Sequence, residues 1–218
     1  MQIDIRVMEL LASKLCHDLV SPVSAINNGV ELIEDIGGPM VDEAMKLIGD
    51  SAQKASHRLR LYRLAYGRAG SEENVAARDM RHVAQRHLEG NKITLDWPED
   101  QPSEAAAAQR GYLKTLLNLV LVGEESLAYG GTLTLRADEN GGCAVESVGR
   151  NAHLSLPLQA ALEGASAIED LTPRSAQAYI TGRFAASFDF RVTHDHPEAD
   201  RLILRLFPKI SETQPMVG

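Results

Sequence analysis

The chain has 218 residues, 44% hydrophobic and 24% charged, the make-up of an ordinary globular protein rather than a disordered or fibrous one. Its formal net charge of −8 argues against nucleic acid as a main partner, since phosphate binding selects a basic surface. No apolar run approaches the roughly 18 residues of a membrane span. The amphipathic, acid-bearing start does not suit a signal peptide, and two cysteines without metal-ligand spacing, Cys16 and Cys143, fit a reducing cytoplasm.

Two long helical patterns flank Gly37-Gly38-Pro39, a turn that places Pro39 at the first position of the second helix. In that helix Val41, Met45, Ile48, Ala52, Ala55, Leu59, Tyr62 and Tyr66 recur at alternating steps of four and three, a heptad seam. In the first helix Ala12, Leu15, Leu19, Ile26 and Ile33 mark the seam, flanked by Met8, Val23 and Val30. So short a connection makes the helices antiparallel neighbours. One hairpin would be marginal alone, so the expectation is a homodimer whose two hairpins form a four-helix bundle. Gly67–Asn74 has the small and polar residues of a linker and closes a first domain at residues 1–70.

Residues 75–210 alternate between helical and strand-like stretches. Strands are expected at Ile93–Trp97, Thr132–Ala137, Cys143–Gly149, Ser187–His194 and Asp200–Phe207. Helices are expected at Asp79–Leu88, Glu104–Leu127 and Pro173–Ala186, the last capped by Thr172 with proline at its first position. The class is therefore α+β, with a sheet carrying helices on one face in the second half. Residues 211–218 read as a loose tail. His194-Asp195-His196 reads as a turn rather than a metal site, Cys16 as a small packing residue, and His57 as solvated surface.

His17 stands apart from the other histidines. With Ala12 at heptad position a, His17 falls at f, farthest from the seam and pointing at water. Lys14, Ser21, Ser24 and Asn28 share its outer face and leave the ring accessible. Pro22 interrupts the helix four residues after Asp18, whose carbonyl then lacks its usual donor; such a proline costs about 3 kcal/mol or more. An imidazole, with a reference pKa of about 6.5, offers a nitrogen lone pair at neutral pH. Phosphoryl transfer asks mainly for positioning and charge stabilisation. In that reading Lys14 helps neutralise a phosphorylated ring, and Asp18 orients the ring or accepts a proton.

The stretch from Lys14 to Ile26, with His17, Asp18, Leu19 and Pro22 at their spacing, resembles the phosphoacceptor box of sensor histidine kinases. Its continuation Asn27-Asn28-Gly29-Val30-Glu31-Leu32 is more similar to the ChpT-type histidine phosphotransferases. The second half resembles a decayed kinase ATP-binding domain. Leu113–Val120 looks like the asparagine box, but where a magnesium-holding asparagine is expected, four residues after Asn118, stands Val122. Valine offers no oxygen to a hard cation. Glu146–Asn151 replaces the adenine-reading Asp-x-Gly-x-Gly, and Asp170–Ser175 replaces the glycine-rich turn.

The resemblance implies a phosphotransferase that works through a phosphohistidine at His17 and neither binds ATP nor acts as an ATP-dependent kinase. Phosphoryl would come from the receiver of an upstream hybrid histidine kinase and pass to a response-regulator receiver, with Mg2+ held by the receiver. Docking is expected on Ser21, Pro22, Ser24, Ala25 and Asn28, with Lys54, Arg58 and Arg60 steering an acidic pocket. An ATP-dependent kinase with an unusual nucleotide site, and a receiver-binding adaptor that carries no phosphate, are the alternatives.

Overall fold

The computed structural model describes residues 4–35, 38–71, 75–138 and 142–209. The 3.6-residue periodicity of the first half becomes α1 (Ile5–Asp35) and α2 (Val41–Ala65), packed side by side as a hairpin. They approach closely at Gly29, where an added Cβ would lie 2.7 Å from a side-chain carbon of Ile48. Only glycine admits that contact. Gly38–Met40 forms a 3-10 turn before α2, so Pro39 stands in the turn and not at the first position of the helix. Residues 36–37 of the expected turn lie outside the described residues, as do residues 72–74 of the expected linker and the 211–218 tail.

The single seam of the sequence reading divides in two. Ala12, Met45, Ala52 and Leu59 are exposed, while α2 turns Ala44, Ser51, Leu61, Tyr62 and Ala65 inward. The cause is a second neighbour for the hairpin. Val7, Leu10, Leu15 and Leu19 of α1, with Leu61, Tyr62 and Ala65 of α2, pack onto the core of the following α/β unit. Arg6 clasps the same unit, donating to the carbonyls of Ile168 at 3.1 Å, Glu169 at 3.0 Å and Leu171 at 3.3 Å. Cys16, expected to pack, is exposed.

The α/β unit begins with α3 (Ala77–Leu88) and β1 (Ile93–Asp96). The helix expected at Glu104–Leu127 is two helices, α4 (Glu104–Ala107) and α5 (Tyr112–Ser126). Gly111 separates them with a left-handed φ of 79°, and a side chain there would collide with Phe188. Strands β2 (Gly131–Ala137) and β3 (Cys143–Val148) follow, then α6 (Leu156–Leu162), α7 (Pro173–Ser187), β4 (Phe190–Glu198) and β5 (Arg201–Pro208). Only seven residues long, α6 carries too little periodicity to be read from sequence. His194-Asp195-His196 lies within β4 rather than in a turn, because β4 pairs with β5 as far as Glu198 opposite Arg201. Pro197 is tolerated because β4 is an edge strand.

The strand order is β1-β2-β3-β5-β4, with β1 parallel to β2 and the other pairs antiparallel. Period-two alternation sends Leu133, Leu135, Val145, Leu202, Leu204 and Leu206 to one buried face, which α5 and α7 cover. Arg136, Glu146, Arg201 and Arg205 project from the other face, where Glu146 is clamped between Arg136 and Arg201. The architecture is thus α+β: a helical hairpin followed by a two-layer α/β sandwich.

Candidate functional site

Where α1 crosses the α/β unit, His17 faces solvent with 90% of its side chain exposed, as its heptad position predicts. The helix below it is fixed by the Leu15 and Leu19 contacts. Its Nδ1 lies 3.4 Å from Oδ1 of Asp18. Asp18 turns half inward, and its Oδ2 accepts a 2.6 Å hydrogen bond from the Tyr62 hydroxyl. Burial, and then this hydrogen bond to a carboxylate, hold the Tyr62 phenol well above its ordinary pKa. The backbone carbonyl of Asp18, which the missing N–H of Pro22 leaves open, accepts from the Arg58 guanidinium. The helix runs on through Pro22 to Asp35. The arginine replaces the donor that proline removes.

A cleft of about 710 Å³ opens beside His17 between the hairpin and the α/β unit. Ser13, Lys14, His17 and Asp18 line one wall, and Tyr129, Asn151, His153 and Arg174 belong to the other. The Arg150 guanidinium stacks over the Tyr129 ring at 4.9 Å. Lys14 departs from expectation. It does not share the open face of His17 but reaches across to Glu125, with 2.8 Å between Nζ and Oε1. Burial works against the ammonium, yet the charge and hydrogen bond of Glu125 prevail and raise its pKa.

The expected docking residues separate into three groups. Ser21, Pro22, Ala25, Lys54 and Arg58 line one depression between the hairpin stem and the end of α3, with His57 among them only half-exposed. Ser24 and Asn28 are exposed on α1 and Arg60 on α2, all outside that depression. Pro22 is buried, and Arg58 is committed to the Asp18 carbonyl, so neither is a free surface group.

On the α/β side the α5 stretch around Asn118 faces inward. Asn118 is wholly buried; its amide donates to the carbonyls of Ala65 at 2.8 Å and Lys114 at 2.9 Å. Its Oδ1 accepts from Gln177 at 3.0 Å, and Gln177 accepts in turn from the Tyr66 hydroxyl. Lys114 donates to the carbonyls of Gly67 at 2.9 Å and Tyr66 at 3.3 Å, and sits 4.1 Å from the centre of the Phe184 ring. These groups satisfy carbonyls that the end of α2 leaves without intrahelical partners, and they set a cation at its negative pole. Burial lowers the Lys114 pKa to about 8. Val122 has no exposed surface and belongs to the hydrophobic core. Among the described residues no group of three or more His, Cys, Asp or Glu side chains is placed to hold a metal ion.

Tyr62, Glu125, Gln177 and Arg174 escape sequence reasoning. Tyr62 reads as one more seam residue, and nothing in the spacing pairs it with Asp18. A buried glutamine can be recognised only once its partners are known.

These features leave His17 open to solvent on a helix anchored to the α/β unit. The family described as Histidine phosphotransferase C-terminal domain matches residues 77–200, and the chain belongs to that family. It is 34% identical over 176 residues to the protein phosphotransferase ChpT of Brucella abortus (strain 2308), an alignment spanning 79% of this chain and 81% of that one. A solved bacterial phosphotransferase superposes with a TM-score of 0.75 at 28% identity, covering 95% of this chain and 98% of that structure.

Proposed function

We propose that this histidine phosphotransferase serves a bacterial multistep phosphorelay through His17. It takes phosphoryl from the aspartyl phosphate of one receiver domain, forms a phosphohistidine, and passes the group to the aspartate of another receiver. The observation that carries the reading is an imidazole 90% exposed on a helix anchored from below, with one ring nitrogen turned to a held carboxylate. An exposed nucleophile on a fixed support can enter a partner's pocket without reorganising the protein. Mg2+ would be held by the receiver. The upstream donor in this account is the receiver of a hybrid histidine kinase.

Ser21, Ala25 and Lys54, in one depression along the stem, suit the receiver's contact surface, with Ser24 and Asn28 extending it on α1 and Arg60 on α2. The protein works as a homodimer. Support comes from an uncovered apolar stripe on the hairpin: Val20 is 60% exposed, Val23 47%, Met45 57% and Leu59 55%. A second hairpin laid on it completes a four-helix bundle. The chain does not act as an ATP-dependent kinase, a reading supported by Val122 in the core and by Asn118 and Lys114 engaged with α2. No described helix is long and apolar enough to cross a membrane, and the cytoplasm is the proposed compartment.

The test is labelling. A 32P-phosphorylated receiver with Mg2+ should label the wild type and leave His17→Ala unlabelled, whereas labelled ATP with Mg2+ should label neither. Labelling of His17→Ala by the receiver would refute the assignment, and self-labelling from ATP would restore the kinase alternative.

A further inference from the structure

A neighbouring pair such as His17 and Asp18 does not hold itself in place on a helix surface, because residues i and i+1 diverge. Here the carboxylate is held from behind. Tyr62 donates to Asp18 Oδ2 at 2.6 Å, which leaves Oδ1, at 3.4 Å, for Nδ1 of His17. The backbone of Asp18 is pinned as well, through Arg58. Tyr62 is itself fixed by stacking on Tyr66, with ring centres 5.7 Å apart, and the Tyr66 hydroxyl donates to Gln177 of the α/β unit.

From this geometry we infer that Tyr62 is a positioning residue for phosphoryl transfer, acting through Asp18 to set the tautomer of His17. The inference rests on the reading of His17 as phosphoacceptor. An ionised carboxylate only accepts hydrogen bonds, so the ring nitrogen facing Oδ1 is the one that carries hydrogen. That is Nδ1–H, and it leaves the lone pair on Nε2, the nitrogen farther from the backbone. The Tyr62 phenol, held well above its ordinary pKa by burial and by Asp18, stays protonated and donates throughout the physiological range.

The step then balances. The Nε2 lone pair forms a bond to phosphorus while the bond from phosphorus to the receiver's aspartyl oxygen breaks, its electron pair remaining on that carboxylate. Positive charge that develops on the ring is met at Nδ1–H by Asp18 Oδ1, which can take the proton. In the onward transfer the same proton returns to Nδ1 as the phosphorus–nitrogen bond breaks. Without the tyrosine hydroxyl, Asp18 is free to swing away, and the ring loses its preference for the tautomer with Nε2 open.

The experiment pairs a spectrum with a rate. Ring-nitrogen 15N NMR of the full chain, with the His17 signals assigned by their loss in His17→Ala, should show mainly the Nδ1–H tautomer. Tyr62→Phe keeps the ring and its packing; it should move His17 toward the Nε2–H tautomer. In single-turnover transfer from a phosphorylated receiver, the maximal rate should fall about tenfold, while the receiver concentration for half-maximal rate stays unchanged. Tyr62→4-aminophenylalanine, which retains a donor on the same ring, should restore both readouts. Wild-type tautomer and rate in Tyr62→Phe would overturn the inference and leave the phosphoacceptor reading standing. A wild type that takes no phosphoryl would overturn both.

Discussion

At position 17 an imidazole stands almost bare in solvent, whereas at position 118 an amide is sealed from it and hydrogen-bonded on both of its ends. The hairpin is the thinner region, yet it exposes this imidazole and much of an apolar stripe. The α/β unit has the larger core, and its buried Lys114 and Asn118 hold the end of α2. The difference teaches how the labour divides. Chemistry that needs a partner's pocket must face outward, and the support that keeps it in register must face inward. Asn118 and Lys114, buried in that unit, cap the carbonyls at the end of α2.

Disturbing the sealed side should have the largest effect on folding. Asn118→Leu leaves the Ala65 carbonyl without its donor and takes from the Gln177 amide its 3.0 Å acceptor, though Thr181 Oγ1 still accepts from it at 3.3 Å; one buried polar group so orphaned typically costs about 1–3 kcal/mol. Urea unfolding should show that loss, and an unchanged midpoint would mean the clamp is ornamental. On the exposed side, Val23→Glu places a charge in the apolar stripe; sedimentation should show dimer dissociation strengthened at least about tenfold. Stability of the single chain should hardly move.

Lys114 supplies a titration that only the buried region can give. Its folded pKa of about 8 lies below the ordinary lysine value, so between those two values the unfolded chain binds more protons and stability rises with pH. From pH 7 to 9 the wild type should gain about 1 kcal/mol relative to Lys114→Met. Denaturation curves at both pH values measure the gap, and parallel pH profiles would contradict it. The smallest expected effect separates two basic residues on one helix. Lys54→Glu, in the depression, should weaken receiver capture about 3–10-fold at low salt, and Arg60→Glu, at the margin of the same surface, about 2–3-fold.

Much of this was legible in the residues. Helical period exposed His17, and alternation such as Thr132-Leu133-Thr134-Leu135 identified strands whose leucines do face the core. What stayed hidden depends on contacts between distant segments. Lys14 reads as an open-face cation until Glu125 is seen across the cleft, and Arg58 as a steering charge until it meets the Asp18 carbonyl. Gly111 gives no periodic warning that it will break a helix, because neither its left-handed φ nor the Phe188 ring pressed against its Cα shows in the residue pattern. Pro22 is the instructive middle case. The sequence shows which carbonyl it abandons; only the fold shows what replaces the lost donor.

The central claim is that His17 receives phosphoryl from one protein and gives it to another. A two-receiver pulse–chase addresses it directly: load the protein from a labelled donor receiver, remove the donor, then add a second receiver with Mg2+. The account predicts that label leaves His17 and appears on the second receiver, and that His17→Ala carries nothing across. Label that remains on the protein, or that reaches the second receiver through His17→Ala, would contradict it.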